Sequence, residues 1–215
     1  MQWTEKYRPM HLDDLFGNRK VIQELKKYAR LSAWDLPNLL FHGPPGVGKT
    51  STALAFCRDG HYYADDINSA RLNGKDDMDQ FIHRLQDIGA GLQNFEIDEG
   101  DGSSTDGYIL VFDKAEMLTR QAQDTLEKAL ESRTDCKAIF IANTIEKFTD
   151  PMVTRFNSFE FKPLNEGEMR SLLLTISKKE NLNIPRSTLD QIVKESEGIA
   201  RDAVNALNKY WILNR

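Results

Sequence analysis

Apolar positions recur along this chain in two rhythms, and their alternation organises everything that follows. Val21, Ile22, Leu25, Tyr28 and Ala29 stand at helical spacing, which predicts an amphipathic helix over about residues 18–31. Asn38-Leu39-Leu40-Phe41-His42 is short, apolar and stopped by Gly43-Pro44-Pro45-Gly46, the pattern of a buried strand running into a glycine turn. Helical character returns from Thr50 to Cys57. Residues 61–68 form a weaker strand candidate, and Met78, Phe81, Ile82, Leu85 and Ile88 mark a further helix. Tyr108-Ile109-Leu110-Val111-Phe112 is the strongest strand signal; a helix on Ala122, Leu126, Ala129 and Leu130 follows, then strands over Lys137–Asn143 and Ser158–Phe161. Strands and helices taken in turn predict an α/β fold, a parallel sheet sandwiched by helices. Asn94 to Gly107, acidic, glycine-rich and aperiodic, reads as a surface loop.

After Pro163 the texture becomes purely helical. Asn165 with Glu168 three residues on reads as an N-terminal cap ahead of Met169, Leu172, Leu173 and Ile176. Ser187 with Asp190 repeats the signal before Leu189, Ile192 and Val193, and a last helix carries Ala203, Ala206, Leu207, Tyr210 and Trp211. The expectation is a sheet domain over residues 1–162 and a small all-helical lid domain over 163–215, with a cleft between them.

Between the strand at 38–42 and the helix at 50–57, Gly43-Pro44-Pro45-Gly46-Val47-Gly48-Lys49-Thr50 satisfies G-x-x-x-x-G-K-[ST] in the required strand–turn–helix context. Such a turn wraps backbone amides around phosphates, places the positive end of the helix beneath them, brings Lys49 to the outer phosphates and offers the Thr50 hydroxyl to magnesium. Asp113 closes the strand at 108–112, where its carboxylate emerges beside that loop as a second magnesium ligand. This is a P-loop NTPase arrangement, with ATP and Mg2+ as the implied cofactors.

Hydrolysis also needs a group that takes a proton from water. The position after Asp113 is Lys114, which holds phosphate charge but, protonated at neutral pH, cannot accept that proton. Glu116 is a candidate substitute; a solvated carboxylate in a first helical turn is the other reading of it.

Composition narrows the classes. The chain has 215 residues, a net charge of -5 and 28% charged residues, with 13 acidic against 5 basic side chains in residues 61–120. That balance disfavours a freestanding, nonspecific nucleic-acid binder, while leaving local basic patches open. No window approaches the roughly 18 apolar residues of a membrane span, the N-terminus lacks a secretory signal, and Cys57 and Cys136 have neither metal-ligand nor disulfide spacing. A soluble protein of a reducing compartment, cytoplasmic or nuclear, with no membrane partner, is expected.

These motifs together resemble the clamp-loader ATPases of the AAA+ class, of the type of the replication factor C small subunits, over nearly the whole chain. Trp3-Thr4-Glu5-Lys6-Tyr7-Arg8-Pro9 resembles the family's N-terminal box, which implies that Tyr7, Arg8 and Pro9 lie beside the adenine. Asn38 to Ala55, including Ser51, is similar to its Walker A stretch, and Phe112 to Thr119 with Ala122-Gln123 to its Walker B strand and the helix after it. The resemblance implies that Asn143, ending Ile139-Phe140-Ile141-Ala142, is the sensor 1 residue at the γ-phosphate. Thr154-Arg155-Phe156 stands where the family has Ser-Arg-Cys, which makes Arg155 the candidate finger for a neighbouring subunit's ATP, although both flanking residues differ. Gly198 to Leu207 resembles the sensor 2 helix, with Arg201 over the phosphates.

The partners so implied are other loader subunits in a ring or spiral of five, a sliding clamp, and primer-template DNA held by its backbone. Arg71, Lys75, Arg84 and Arg120 are DNA-contact candidates by position, solvated surface charge being the alternative. Two departures matter: Lys114 gives a local wording similar to the bacterial delta-prime subunit, which does not hydrolyse ATP, and the chain stops at Arg215 before the family's collar. The expected function is thus an ATP-driven loader subunit. Its rivals are a nucleotide-held stator and, less well supported, a small-molecule P-loop kinase.

Overall fold

The structure is a computed structural model and describes residues 1–92, 107–131 and 136–214. The acidic stretch expected to be a loop, Asn94 to Asp106, lies outside the described residues, while Gly107 begins a strand. The strands are β1 (Leu39–His42), β2 (Tyr62–Asn68), β3 (Gly107–Asp113), β4 (Cys136–Ala142) and β5 (Asn157–Glu160). The helices are α1 (Trp3–Lys6), α2 (Arg19–Tyr28), α3 (Lys49–Asp59), α4 (Lys75–Leu92), α5 (Arg120–Glu131), α6 (Asp150–Arg155), α7 (Glu166–Lys179), α8 (Arg186–Glu195) and α9 (Ala200–Leu213).

The strands form one sheet in the order β2-β3-β4-β1-β5, and every neighbouring pair is parallel. Parallel neighbours cannot be joined by tight turns, so the chain crosses over through helices that cover both faces. Period-two alternation assigns the side chains. Leu110, Phe112, Leu40 and Phe140 face α4, α5 and α6, where they meet Leu85, Leu126 and Met152. Ile109, Val111, Leu39, Phe41 and Ile141 face α2 and α3, where they meet Leu25, Ala53 and Phe56. Because β1 sits between β4 and β5 while its own crossover leads to β2, the strand order reverses beside β1. An open parallel sheet presents its binding crevice there, at the carboxyl ends of the strands.

A third core joins α7, α8 and α9 through Met169, Leu173, Ile176, Leu189, Val193, Ala203 and Leu207. Trp3 packs in this core, its ring 5.4 Å from Trp211, so the N-terminal turn is fastened to the C-terminal helices across the front of the sheet. The capping box expected at Asn165 is present: Asn165 Oδ1 accepts from the Glu168 amide at 2.9 Å and Glu168 Oε2 from the Asn165 amide at 3.0 Å.

The second expected cap is corrected. Helix α8 starts at Arg186 with Pro185 as its N-cap residue and no side-chain cap, which leaves Ser187 inside the first turn. Two helices escaped the sequence pattern, α1 with four residues and α6 with six, because neither completes the two turns over which a 3.6-residue period can show itself. Among the described residues no helix is long and apolar enough to cross a membrane.

The face beneath α5 and α6 is built on stacked rings. Phe112 and Phe140 lie 4.5 Å apart and 6° from parallel, and Phe140 and Phe156 lie 5.1 Å apart at 20°. Phe140 is fully buried at the centre of that stack. Phe140→Ala should therefore lower unfolding stability by about 3–5 kcal/mol in urea titrations with little change in m; a loss under about 1 kcal/mol would contradict this packing.

Candidate functional site: a phosphate loop under a helical lid

The turn after β1 is held open by two glycines that no other residue can replace without strain. Gly43 sits at φ 141°, and a Cβ there would fall 2.1 Å from the Phe161 carbonyl oxygen. Gly46 sits at φ 78°, and a Cβ there would approach Ile199 Cγ2 to 2.7 Å and Arg201 Cβ to 3.2 Å. The start of α9 thus rests directly on the phosphate loop, and the Arg201 amide donates to the Gly46 carbonyl at 3.2 Å.

Lys49 opens α3 and is only 6% exposed. Its Nζ donates to the Gly43 carbonyl at 2.6 Å, to the Pro44 carbonyl at 2.7 Å and to Asn143 Oδ1 at 3.2 Å. Burial pushes its pKa down to about 8. The carboxylates of Glu116 and Asp113 oppose that shift, and the charge of Arg201 adds to it.

Asp113 ends β3 and its Oδ1 accepts from the Lys114 amide at 2.9 Å. Lys114 is exposed and left-handed, φ 55°, and the chain then tightens into a 3-10 turn over Ala115–Met117 that carries Glu116. Asn143 follows β4 immediately, and its Nδ2 donates to Glu116 Oε1 at 2.7 Å. Lys49, Asn143 and Glu116 therefore form a continuous hydrogen-bonded line.

The front wall comes from the N-terminal segment. Tyr7 donates its hydroxyl proton to Glu180, Lys6 pairs with the same carboxylate, and Arg8 grips Glu5 with two hydrogen bonds of 2.8 and 3.1 Å. The back wall is the lid, with Leu172 and Ile176 of α7 and Val204 of α9.

Between these walls runs one cleft of about 860 Å³. Tyr7, Arg8, Pro9, Pro45, Gly46, Val47, Gly48, Lys49, Thr50, Ser51, Asp113, Glu116, Asn143 and Arg201 all line it. Gly43 and Pro44 stand behind the loop, where their carbonyls meet the Lys49 ammonium. Thr50 and Asp113 bring oxygen donors only, which suits a hard cation that takes one or two protein ligands and completes its shell with phosphate and water. Among the described residues no cluster of three or more His, Cys, Asp or Glu could hold a metal unaided.

Arg155 lies outside the cleft, at the end of α6. Its Nη1 meets Glu127 Oε1 at 2.5 Å and also Glu131, both on α5. Of the four DNA-contact candidates, Arg84 is paired with Asp65, while Arg71 in the 3-10 turn after β2, Lys75 at the start of α4 and Arg120 at the start of α5 are exposed.

Gln123, which in the sequence is visible only as part of the Ala122-Gln123 motif, is fully buried on α5. Its Nε2 donates to the Leu118 and Lys147 carbonyls at 3.1 and 2.9 Å, and its Oε1 accepts from the Thr149 amide at 2.8 Å. It thereby joins the turn after β3, the loop after Asn143 and the start of α6. A glutamine in the apolar stripe of a helix is the one signal that could have marked it, since a buried amide must find partners.

Residues 39–164 match the family described as "ATPase family associated with various cellular activities (AAA)". The chain is 35% identical over 215 residues to Replication factor C subunit 4 of Homo sapiens, covering 95% of this chain and 57% of that protein. It is 33% identical over 212 residues to the Replication factor C small subunit of Archaeoglobus fulgidus, covering 95% and 62%. The chain thus spans about three fifths of the length of these curated relatives. Among solved structures it superposes on the Thermotoga maritima RuvB Holliday junction branch migration motor with a TM-score of 0.70 at 18% identity, covering 96% of this chain and 65% of that one, a likeness of fold. With the matched segment spanning more than half of the chain and carrying the phosphate loop, Asp113 and Asn143, this protein belongs to the AAA family of ATPases.

Proposed function

We propose that this chain is the ATP-binding part of a DNA sliding-clamp-loader subunit, one that couples ATP binding and hydrolysis to clamp opening and loading on primed DNA in replication. One observation carries the reading: the phosphate loop, Asp113, Asn143 and the lid residue Arg201 converge on a single cleft in a chain similar to replication factor C small subunits. Residues 1–162 serve as the nucleotide-binding domain and 163–215 as the lid, with the N-terminal turn anchored in the lid's core by Trp3.

The adenine lies between Tyr7, Arg8 and Pro9 and the apolar wall of Leu172 and Ile176, where stacking and burial hold it. Backbone amides of residues 45–51 and the start of α3 receive the phosphates, and Lys49 turns from the loop carbonyls to the outer phosphate oxygens. Thr50 and Asp113 would hold magnesium, which when bound offsets phosphate charge and helps to stabilise the leaving group. Asn143 orients the attacking water, and Arg201 brings a cation from the lid, so a triphosphate draws the lid onto the sheet. Because α9 already touches Gly46, a small displacement suffices.

In a ring or spiral of five subunits Arg155 reaches a neighbour's site after leaving Glu127 and Glu131; the clamp and the DNA backbone are the remaining partners, in cytoplasm or nucleus. Arg71, Lys75 and Arg120 are the candidates for that backbone contact. A second reading has its own observation. The exposed Lys114 stands where the related ATPases carry their catalytic glutamate, and a subunit that binds ATP without hydrolysing it would serve as a stator.

Lys49→Ala should abolish MgATP binding in isothermal titration or fluorescent-nucleotide assays; affinity within threefold of the parent would refute the site. Arg155→Ala should leave binding intact and slow turnover roughly 10³-fold, only in the complex assembled with its partner subunits. Unchanged turnover in that assembly would remove Arg155 from the reaction.

A further inference from the structure

We propose that Glu116 is the general base of this site, the group that takes the proton from the attacking water in place of the missing carboxylate at position 114. The inference rests on the ATP site proposed above and adds to it a catalytic residue outside the usual position.

Three observations carry it. First, the backbone delivers Glu116 into the cleft. The left-handed turn at Lys114 leads into the 3-10 turn Ala115–Met117, and Glu116 lines the same cleft as Lys49 and Asp113. Second, one oxygen of the carboxylate is fixed. Glu116 Oε1 accepts from Asn143 Nδ2 at 2.7 Å, while Asn143 Oδ1 accepts from Lys49 Nζ at 3.2 Å. An amide that donates on one side and accepts on the other has a single orientation, so the carboxylate is aligned with the lysine that receives the γ-phosphate. Third, the other oxygen is free: Oε2 is buried and has no hydrogen-bond partner among the described residues. A buried acceptor left unmatched costs about 1–3 kcal/mol, so its retention calls for an explanation. A water poised for attack on phosphorus, itself a donor, would supply one once the nucleotide draws Lys49 and Asn143 away and opens Oε2 to the cleft. The electrostatics agree, because Glu116 is the stronger of the two carboxylates that hold up the charge of the buried Lys49.

The step balances. The water oxygen forms a bond to the γ-phosphorus as the bond from that phosphorus to the β–γ bridging oxygen breaks, and its electron pair leaves with ADP. One water proton passes to Glu116 Oε2 and then leaves with the product phosphate or to solvent, restoring the carboxylate. Lys114 cannot take this part, since its ammonium has no lone pair to offer.

The competing role for Glu116 is to position Asn143 and nothing more, and Glu116→Gln separates the two. Glutamine still presents an oxygen to Asn143 but accepts no proton. The test measures MgATP affinity and turnover of the full chain assembled with its loader partners and primer-template DNA. The expected result for Glu116→Gln is affinity within threefold of the parent and turnover lowered about 10²–10⁴-fold. Lys114→Glu added to Glu116→Gln should restore turnover, because it returns a carboxylate to the strand end.

Turnover of Glu116→Gln within threefold of the parent would overturn the proposal. If Glu116→Ala then fell while Glu116→Gln did not, the residue would be a positioning group for Asn143. A parent that binds MgATP tightly yet never hydrolyses it in the assembly would also overturn the base and establish the stator. A parent that binds no MgATP would instead refute the nucleotide site itself.

Discussion

A buried ammonium is the constraint around which this molecule is arranged. An unpaired charge removed from water costs several kcal/mol, so a lysine as enclosed as Lys49 is tolerable only with its donors engaged. Gly43 and Pro44 supply carbonyls and Asn143 an amide oxygen, and the carboxylates of Glu116 and Asp113 lend charge. Each partner arrives from a different part of the chain: the turn after β1, the end of β3 and the end of β4. The parallel register that sets β1 beside β4 brings them together, and the stacked rings of Phe112, Phe140 and Phe156 keep those strand ends in place. On the function proposed above, a triphosphate in the cleft would substitute one set of partners for another, offering phosphate oxygens in place of backbone carbonyls without returning the charge to water.

The lid is coupled to the same loop by close contact. Gly46 leaves no space for a side chain beneath Ile199 and Arg201, so whatever moves the loop moves the start of α9. Trp3 binds the N-terminal turn into the lid's core, which makes the front and back walls of the cleft parts of one packed body. On the other side, Gln123 fastens the turn carrying Glu116 and the loop after Asn143 to the base of α6, whose last residue is Arg155. The arginine that reads as a finger is thus built onto the same hydrogen-bonded scaffold as the chain's own phosphate site, and is held by Glu127 and Glu131.

Much of this could be read in the amino-acid sequence, for definite reasons. The strand at 108–112 is a continuous apolar run because both faces of the sheet are covered, and the phosphate loop declares itself because only glycines fit its turns. The capping box at Asn165 is a local interaction, so local sequence suffices to find it. The apparent cap at Ser187 is pre-empted because Pro185, two residues earlier, is already the N-cap residue of α8. Trp3 in the lid, the pairing of Arg155 with α5 and the line from Lys49 through Asn143 to Glu116 were invisible in sequence. They join residues 24 to 28, 94 or more than 100 positions apart, and no periodicity encodes such distances.

The central question is whether the Lys49 ammonium receives the phosphates. Burial holds its pKa down to about 8, so part of it is deprotonated at pH 8.5 in the free protein, and phosphate oxygens at hydrogen-bonding distance raise that pKa again. Calorimetric titration of MgATP at pH 8.5 in two buffers of different ionisation enthalpy measures the protons taken up on binding. Net proton uptake on binding is the expected result, vanishing in Lys49→Met together with most of the affinity; tight binding with no proton uptake would contradict the site.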